Sequence, residues 1–387
     1  METLAMLGLG PDGVPNHKKG SDMGGREDSS LATFRVHKDA VSGLHLQGDI
    51  LYSASFDSTV CAVDLHRGVA VNTFYNDMVA VHCVREHAGT VYAGDECGSI
   101  TASDARTGQT SSTIHAHSQP VLCVFADEKL LYTGSHDCSI RVFDIRTLKC
   151  LKKYKVHSGP VTALQVVEGT VFSSSWDGSV FSMPPDSGEG KRRTMGTEAE
   201  SPSVLEMQVV GTSVYAGYRD GRARAWGASS LDKPTATFIA HDASMTQVLV
   251  DEALRMYTAS DDATICVWDL KLDKRVCDRD KCLHVYQGHA DGILALAKGG
   301  VLLYSGSYDH SIKVWDAEEV DASILRTSPP APPLGGSGEG ASSSGAGEGG
   351  GTAGPPRKNL PLHLQATAGA GGKQAGHDDP DWWKLPQ

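Results

Sequence analysis

No stretch of this chain approaches the ~18 consecutive apolar residues that a membrane-crossing helix needs, so no span is expected. Met1-Glu2-Thr3 leads into no basic region followed by a long apolar core, and no secretory leader is expected. Positive charge is scarce: 35 Lys and Arg stand against 47 Asp and Glu, a net charge of −12. That balance gives no nonspecific attraction to nucleic acid or anionic lipid, so neither is expected as a direct partner. The one compact basic run, Lys191-Arg192-Arg193, reads as a solvated loop leaving the fourth of the repeats described below. Nine cysteines, an odd number, fall into no disulfide framework, which points to a reducing compartment, cytosol or nucleus. Catalytic signatures are missing as well: there is no HExxH, no GxSxG and no P-loop. Gly8-Leu9-Gly10-Pro11-Asp12-Gly13 spells GxGxxG, but it follows no strand, contains Pro and opens no helix. No cofactor is implied.

What the chain has instead is a period. A short phrase recurs seven times, most clearly as His241 to Asp262 followed by Val267-Trp268-Asp269, and His289 to Asp309 followed by Val314-Trp315-Asp316. Its Asp slot falls at Asp57, Cys97, Asp137, Asp177, Asp220, Asp262 and Asp309, in steps of 40, 40, 40, 43, 42 and 47 residues. A His slot precedes it at His37, Asp77, His117, His157, Glu200, His241 and His289. A small residue lies between them (Ser53, Ala93, Thr133, Ser173, Ala216, Thr258, Ser305), and a Trp slot follows (Val63, Ser103, Phe143, Met183, Trp226, Trp268, Trp315). A fixed long period means one supersecondary unit stacked on its own copies.

Within a copy, four- and five-residue apolar runs alternate with turn residues. In the third they are Val121–Phe125, Leu130–Thr133, Ile140–Phe143 and Leu151–Tyr154, rich in β-branched and aromatic side chains. That predicts four strands with no intervening helix. Four strands per forty residues, repeated radially, make a propeller blade.

These residues resemble the WD-repeat β-propellers over residues 31–316, about three quarters of the chain. The resemblance implies an all-β, seven-bladed ring in which each complete repeat carries a hydrogen-bonded tetrad of Trp, Ser or Thr, His and Asp. Two copies carry the full set: His241, Thr258, Asp262, Trp268, and His289, Ser305, Asp309, Trp315. Copies one, three and four keep the polar trio without the indole, and copies two and five have lost most of it. The His–Ser–Asp trios recur in five copies as internal braces, with no oxyanion donors or cleft, so hydrolytic chemistry is not expected. Cys277, Cys282 and His284 might suggest zinc beside His289, but His289 belongs to a tetrad and the rest to an inserted hairpin loop. No fourth-strand phrase follows Trp315-Asp316, whereas Ala32-Thr33-Phe34-Arg35-Val36 precedes the first His; residues 31–36 are therefore expected to close the ring.

In the resembled family the residue before the Asp slot tends to end the second strand on the upper rim. Here the rim residues are Phe56, Glu96, His136, Trp176, Arg219, Asp261 and Tyr308. Phe56, His136, Trp176, Arg219 and Tyr308 have the composition of an interaction hot spot, with Tyr308 and Phe56 forming one patch and the other three a second. Some of these rings are alternatively expected to pack sideways onto neighbouring turns. Phe143-Asp144-Ile145-Arg146 and Trp268-Asp269-Leu270-Lys271 look like the box of substrate receptors in cullin-type ubiquitin ligases, where Arg146 and Lys271 would contact an adaptor. A basic residue is common at that position throughout the family.

Residues 1–30 read as a flexible segment and residues 317–387 as a disordered tail. Its Pro329–Pro333 run leads into a Gly/Ser/Ala tract with little to bury, and it carries Trp382-Trp383 near its end. The expected function is a non-enzymatic scaffold that binds a peptide or protein on the rim, a monomeric ring within a larger complex. The alternatives are a ubiquitin-ligase substrate receptor and a subunit of an RNA-processing or ribosome-assembly complex.

Overall fold

The computed structural model describes residues 28–75, 78–183, 202–228, 234–271 and 276–317, together with the backbone of 191–194. All lie in the unit Met1–Pro329; the second unit, Pro330–Gln387, falls wholly outside them. Asp77 and Glu200 of the His slots, the GxGxxG motif and the Trp382-Trp383 pair also lie outside the described residues.

Short β-branched runs separated by tight turns fold back as antiparallel hairpins, and seven sheets result. Blade one is Val41–Gln47, Ile50–Ser55, Thr59–Asp64 and Val69–Tyr75 in spatial order. In blade three the strands are Val121–Ala126, Leu130–Ser135, Ile140–Asp144 and Cys150–Tyr154, within two residues of the expected bounds. First strands of successive blades pack side by side, and Ile293–Gly299 of blade seven lies beside Val41–Gln47 of blade one. The chain is an all-β seven-bladed propeller.

Blades pack face to face, so the second strand of each is covered on both sides and uses small residues where a neighbour comes closest. A Cβ on Gly134 would sit 2.6 Å from Cys123 Sγ and 2.7 Å from Val161 Cγ1 of blade four. Outer strands present side chains to solvent, as the lysines of Cys150–Tyr154 illustrate. In every first strand the register slips at the second residue: Ser42, His82, Leu122, Thr162, Leu205, Thr246 and Leu294. Such a bulge re-aims the side chain. Ser42 Oγ donates to the Val81 carbonyl of the next blade at 2.6 Å, and Thr162 Oγ1 to Val204 at 3.1 Å.

The N-terminal strand completes blade seven: Ala32–Phe34 pairs antiparallel with Ile312–Asp316, Ala32 opposite Val314 and Phe34 opposite Ile312. The closure reaches further than residues 31–36 suggested. Residues 28–30, assigned by the sequence to a flexible segment, are bonded to the ring. Ser29 N–H donates to Gln287 at 3.1 Å, and Lys313 Nζ reaches Asp28 Oδ2 at 2.5 Å. The Lys313 side chain is 6% exposed, so that carboxylate is its counter-charge inside the seam. At the other end Ala317, assigned to the tail, is buried and donates its N–H to Val301 at 2.8 Å.

Two loop assignments are corrected. Lys191–Thr194 is the fourth strand of blade four, its backbone paired with Ser179–Ser182. The insertion before the seventh repeat is not a plain hairpin loop: Val276–Asp278 joins blade five as a fifth strand, parallel to Ala236–Ile239. A short 3-10 turn, Arg279–Lys281, then leads to His284–Gln287 of blade six. The insertion straps two blades together.

Candidate partner-binding face

The Asp-slot residue sits in the turn after each second strand, and the residue behind it adopts a left-handed conformation in all seven blades. Glycine supplies it at Gly98, Gly178 and Gly221, whereas Ser58, Cys138, Ala263 and His310 adopt it as non-glycines. The rim residue just before the slot is fixed by a second repeated bond. Its N–H donates to the carbonyl preceding the first strand: Phe56 to Ala40, Glu96 to Ala80, His136 to Pro120, Trp176 to Pro160, Arg219 to Ser203, Asp261 to Ser244 and Tyr308 to Gly292, all between 2.9 and 3.1 Å. The seven rim side chains therefore start from equivalent backbone positions.

Beneath the rim, the complete sets are joined as the family pattern implies. In blade seven Trp315 Nε1 donates to Ser305 Oγ at 2.8 Å, His289 Nε2 lies 2.7 Å from that hydroxyl, and His289 Nδ1 lies 2.7 Å from Asp309. In blade six the corresponding distances are 3.1 Å for Trp268 to Thr258, 2.9 Å for His241 to Thr258 and 3.0 Å for His241 to Asp262. The trios persist without indole: His117 lies 2.7 Å from Thr133 and 3.1 Å from Asp137. Burial alone would raise these carboxyls, but bonds from the imidazole and the turn hold Asp57, Asp137, Asp177 and Asp309 well below the usual carboxylate range. Bonded to the imidazole and to the turn, these carboxylates brace the blade.

Blade five solves the same problem differently. Arg224 Nη2 binds Asp220 Oδ2 at 2.9 Å, and its guanidinium lies 4.3 Å from the Tyr218 ring centroid. Tyr218, fully buried, stands where five of the other blades carry a serine two residues before the slot. In blade two, with Cys97 in the Asp slot, Asp95 accepts the turn N–H of Ser99 at 2.7 Å.

On the rim itself the sequence separates two patches, and the structure connects them differently. Phe56 packs not on Tyr308 but edge-on against His82, with ring centroids 5.1 Å apart and planes at 63°. His136 and Trp176 form a second edge-on pair at 5.6 Å and 81°. His82 is the bulge residue of blade two, a position the sequence reading passed over because that repeat is degenerate. Burial, with the nearby His136 imidazole, lowers its pKa to about 4; burial lowers that of His136 too. Phe56, His82, His136 and Trp176 thus make a row of rings across blades one to four that is uncharged at neutral pH. Phe56, His136 and Trp176 are each half-buried.

Tyr308 belongs elsewhere. Its ring edge and Asp261 both crowd Gly292, so it sits at the junction of blades six and seven. Arg219 and Glu96 are exposed, Arg219 on blade five just past the Trp176 end of the row and Glu96 on blade two within its span. Arg146, also exposed, lines a cleft of about 560 Å³ between blades two and three with Tyr92, Ser112, Glu128, Ile145 and Leu148. Lys271 is exposed on blade six, and its N–H caps Asp269 at 2.9 Å. Among the described residues no cluster of His, Cys, Asp and Glu could hold a metal ion, and no helix is long and apolar enough to cross a membrane.

Comparison with known proteins meets this geometry at the repeats. The family described as "WD domain, G-beta repeat" matches residues 28–64, 108–144, 148–181, 232–269 and 280–316. The chain belongs to the WD-repeat family. The stretches passed over hold the body of blades two and five, where the tetrads are replaced. Among curated relatives, Mitochondrial division protein 1 of Kluyveromyces lactis is 32% identical over 114 residues, covering 27% of this chain and 16% of that protein. Myosin heavy chain kinase D of Dictyostelium discoideum is 31% identical over 87 residues, covering 22% and 9% respectively. The chain thus spans less than a fifth of the length of these relatives. The crystal structure of the computationally designed Ika8 protein superposes with a TM-score of 0.59 at 19% identity, covering 74% of this chain and 99% of that one, which shows the fold alone.

Proposed function

We propose that this WD-repeat protein is a non-enzymatic interaction scaffold whose ring row Phe56–His82–His136–Trp176 receives an apolar or aromatic side chain of a protein partner. The observation behind the proposal is the pairing of the half-buried rings Phe56, His136 and Trp176, on turns held by identical backbone bonds, with one another and with the buried ring of His82. Rigid aromatic surface binds at low entropic cost, and Glu96 on blade two, with Arg219 past the row's blade-four end, would orient a charged neighbour. WD-repeat propellers generally bind proteins, which supports the class but not a particular partner. The proposal carries with it a reducing compartment, cytosol or nucleus. Similarity to Mitochondrial division protein 1 is confined to a fraction of each chain and supports shared repeats, not a shared process.

The test is quantitative affinity purification of the full chain, comparing wild type with Phe56→Ala/Trp176→Ala. A hot-spot pair is expected to cost at least ~2 kcal/mol, about thirtyfold in affinity, so a discrete set of partners should fall away while far-UV circular dichroism is unchanged. Unchanged recovery from a folded variant would defeat the proposal. A second reading, an adaptor contact of a cullin-type ligase, draws support from Arg146 lining the cleft between blades two and three. Under that reading Arg146→Glu, and not the ring variant, removes the adaptor.

A further inference from the structure

We propose that the outer strand of blade one, Val69–Tyr75, is a self-association surface that pairs antiparallel with the same strand of a second copy of this chain. It ends its sheet, and among the described residues no strand pairs with its outer edge. Four of the eight exposed large hydrophobic side chains among the described residues lie here within ten positions: Val69 is 52% exposed, Val71 45%, Tyr75 76% and Met78 94%. The strand itself, Val-Ala-Val-Asn-Thr-Phe-Tyr, contains no charge and no proline. An open, apolar, uncharged edge is a template for a further strand.

Other outer edges are guarded or filled. Lys152 and Lys153 charge that of blade three, and Lys191–Thr194 of blade four has basic residues at three of its four positions. Blade two presents the hydroxyl-rich Thr110–His115. Blade five has already accepted an additional strand, with Val276, Cys277 and Asp278 in register with Thr237, Phe238 and Ile239. The outer edge of a blade in this chain is therefore open enough to take another strand.

The edge of blade one is held in place before any partner arrives. Asn72 Nδ2 donates to the Ala105 and Arg106 carbonyls of blade two at 3.1 and 3.2 Å, and Phe74 is buried. The register with Thr59–Asp64 slips at Val71, so the regular edge runs from Asn72 to Tyr75, with Val69 and Val71 as an apolar flank. A second copy fits because the strand complements itself. The chain carries a net charge of −12, yet pairing here sets no like charges opposite one another. An antiparallel arrangement centred on Thr73 places Tyr75 of each copy beside Val71 of the other, aromatic on β-branched, twice by symmetry. One strand from each copy makes a small interface, under ~1,200 Å² in all, so the pair should exchange in the micromolar range. The monomeric ring expected from the sequence gives way to a reversible pair.

The experiment is sedimentation velocity on the full chain in dithiothreitol, which keeps the exposed Cys97 and Cys150 from crosslinking copies. Between ~1 and ~100 μM the mass should rise from one chain towards two. Val71→Glu/Tyr75→Glu and Val71→Lys/Tyr75→Lys should each weaken pairing at least about tenfold with unchanged circular dichroism, and an equimolar mixture of the two should restore it. Hydrogen exchange in Val69–Tyr75 should slow as concentration rises, while that in Cys150–Tyr154 should not. Phe56→Ala/Trp176→Ala should pair as wild type does, which separates this surface from the rim. A single-chain mass at every concentration, pairing that both charged variants retain, or a mixture that stays unpaired would overturn the proposal.

Discussion

Removing Asp309 and removing the Trp315 indole N–H probe the same tetrad from opposite ends, and the structure ranks their costs. The Asp309 carboxylate accepts from Ser311 N–H at 3.0 Å, Ser311 Oγ at 2.5 Å and Ala290 N–H at 3.0 Å, and pairs with His289 Nδ1 at 2.7 Å. Its side chain is only 12% exposed and that of His289 is fully covered. Asp309→Ala therefore strands a buried imidazole and two turn N–H groups, at a cost of about 3–5 kcal/mol. Trp315→Phe loses one neutral hydrogen bond and some volume, about 1–2.5 kcal/mol. Blade three already lives with the second change: Phe143 fills the Trp slot and His117 still lies 2.7 Å from Thr133. The assay is hydrogen exchange by mass spectrometry on the full chain, with guanidinium unfolding alongside. Asp309→Ala should lose protection first in Ile293–Gly299, Leu302–Ser307 and Ile312–Asp316, and in the N-terminal strand paired to them. A ranking with Trp315→Phe as the worse change, or an Asp309→Ala variant within about 0.5 kcal/mol of wild type, would refute the view of these groups as braces.

Gly221 adopts φ +76° with the carbonyls of His241 and Ala243 where a Cβ would stand, so Gly221→Ala should lower the unfolding free energy by about 2 kcal/mol or more in guanidinium titrations, with a lower melting temperature. Burial pushes the Glu206 carboxyl up to about 8, above its unfolded value, so its contribution is complete below the unfolded pKa and lost as pH rises through 8. Glu206→Gln should therefore gain on wild type by up to about 1.4 kcal/mol per pH unit across that window, read as a difference of pH–stability curves, and parallel curves would contradict the assignment. Deleting residues 28–34 should open Ile312–Asp316 to rapid exchange and lower the melting temperature, whereas Lys313→Met alone should weaken the seam only in part, because the backbone pairing of Ala32–Phe34 remains.

Legibility followed periodicity. Blade count, closure by the N-terminal strand and the complete tetrads were readable because each repeats a residue type at a fixed offset. What escaped notice leaves no repeated residue type in the sequence. The bulge that sets His82 against Phe56 recurs in every first strand, but its position holds Ser, His, Leu or Thr, so no residue type in Val81-His82-Cys83 announces it. Arg224 took over the imidazole's place by reaching four residues back along its own hairpin, a pairing visible only once Tyr218 and Asp220 are placed. The strap strand Val276–Asp278 is three residues long and pairs with a neighbouring blade, so no local pattern distinguishes it from a loop. Sequence order placed His136 beside Trp176, which pair edge-on, but it gives only the blade of each ring and not the direction in which it leans, so the Phe56–His82 pair was not legible.

The most direct test places a photo-reactive benzoylphenylalanine at position 176 of the full chain, and in a parallel sample at exposed Leu151 on the outer strand of blade three. Crosslinking to a defined protein partner at 176 and not at 151, suppressed by Phe56→Ala, is the result this account predicts. Capture of the same partner with equal yield from position 151, or none from 176 while the complex still copurifies, would contradict it.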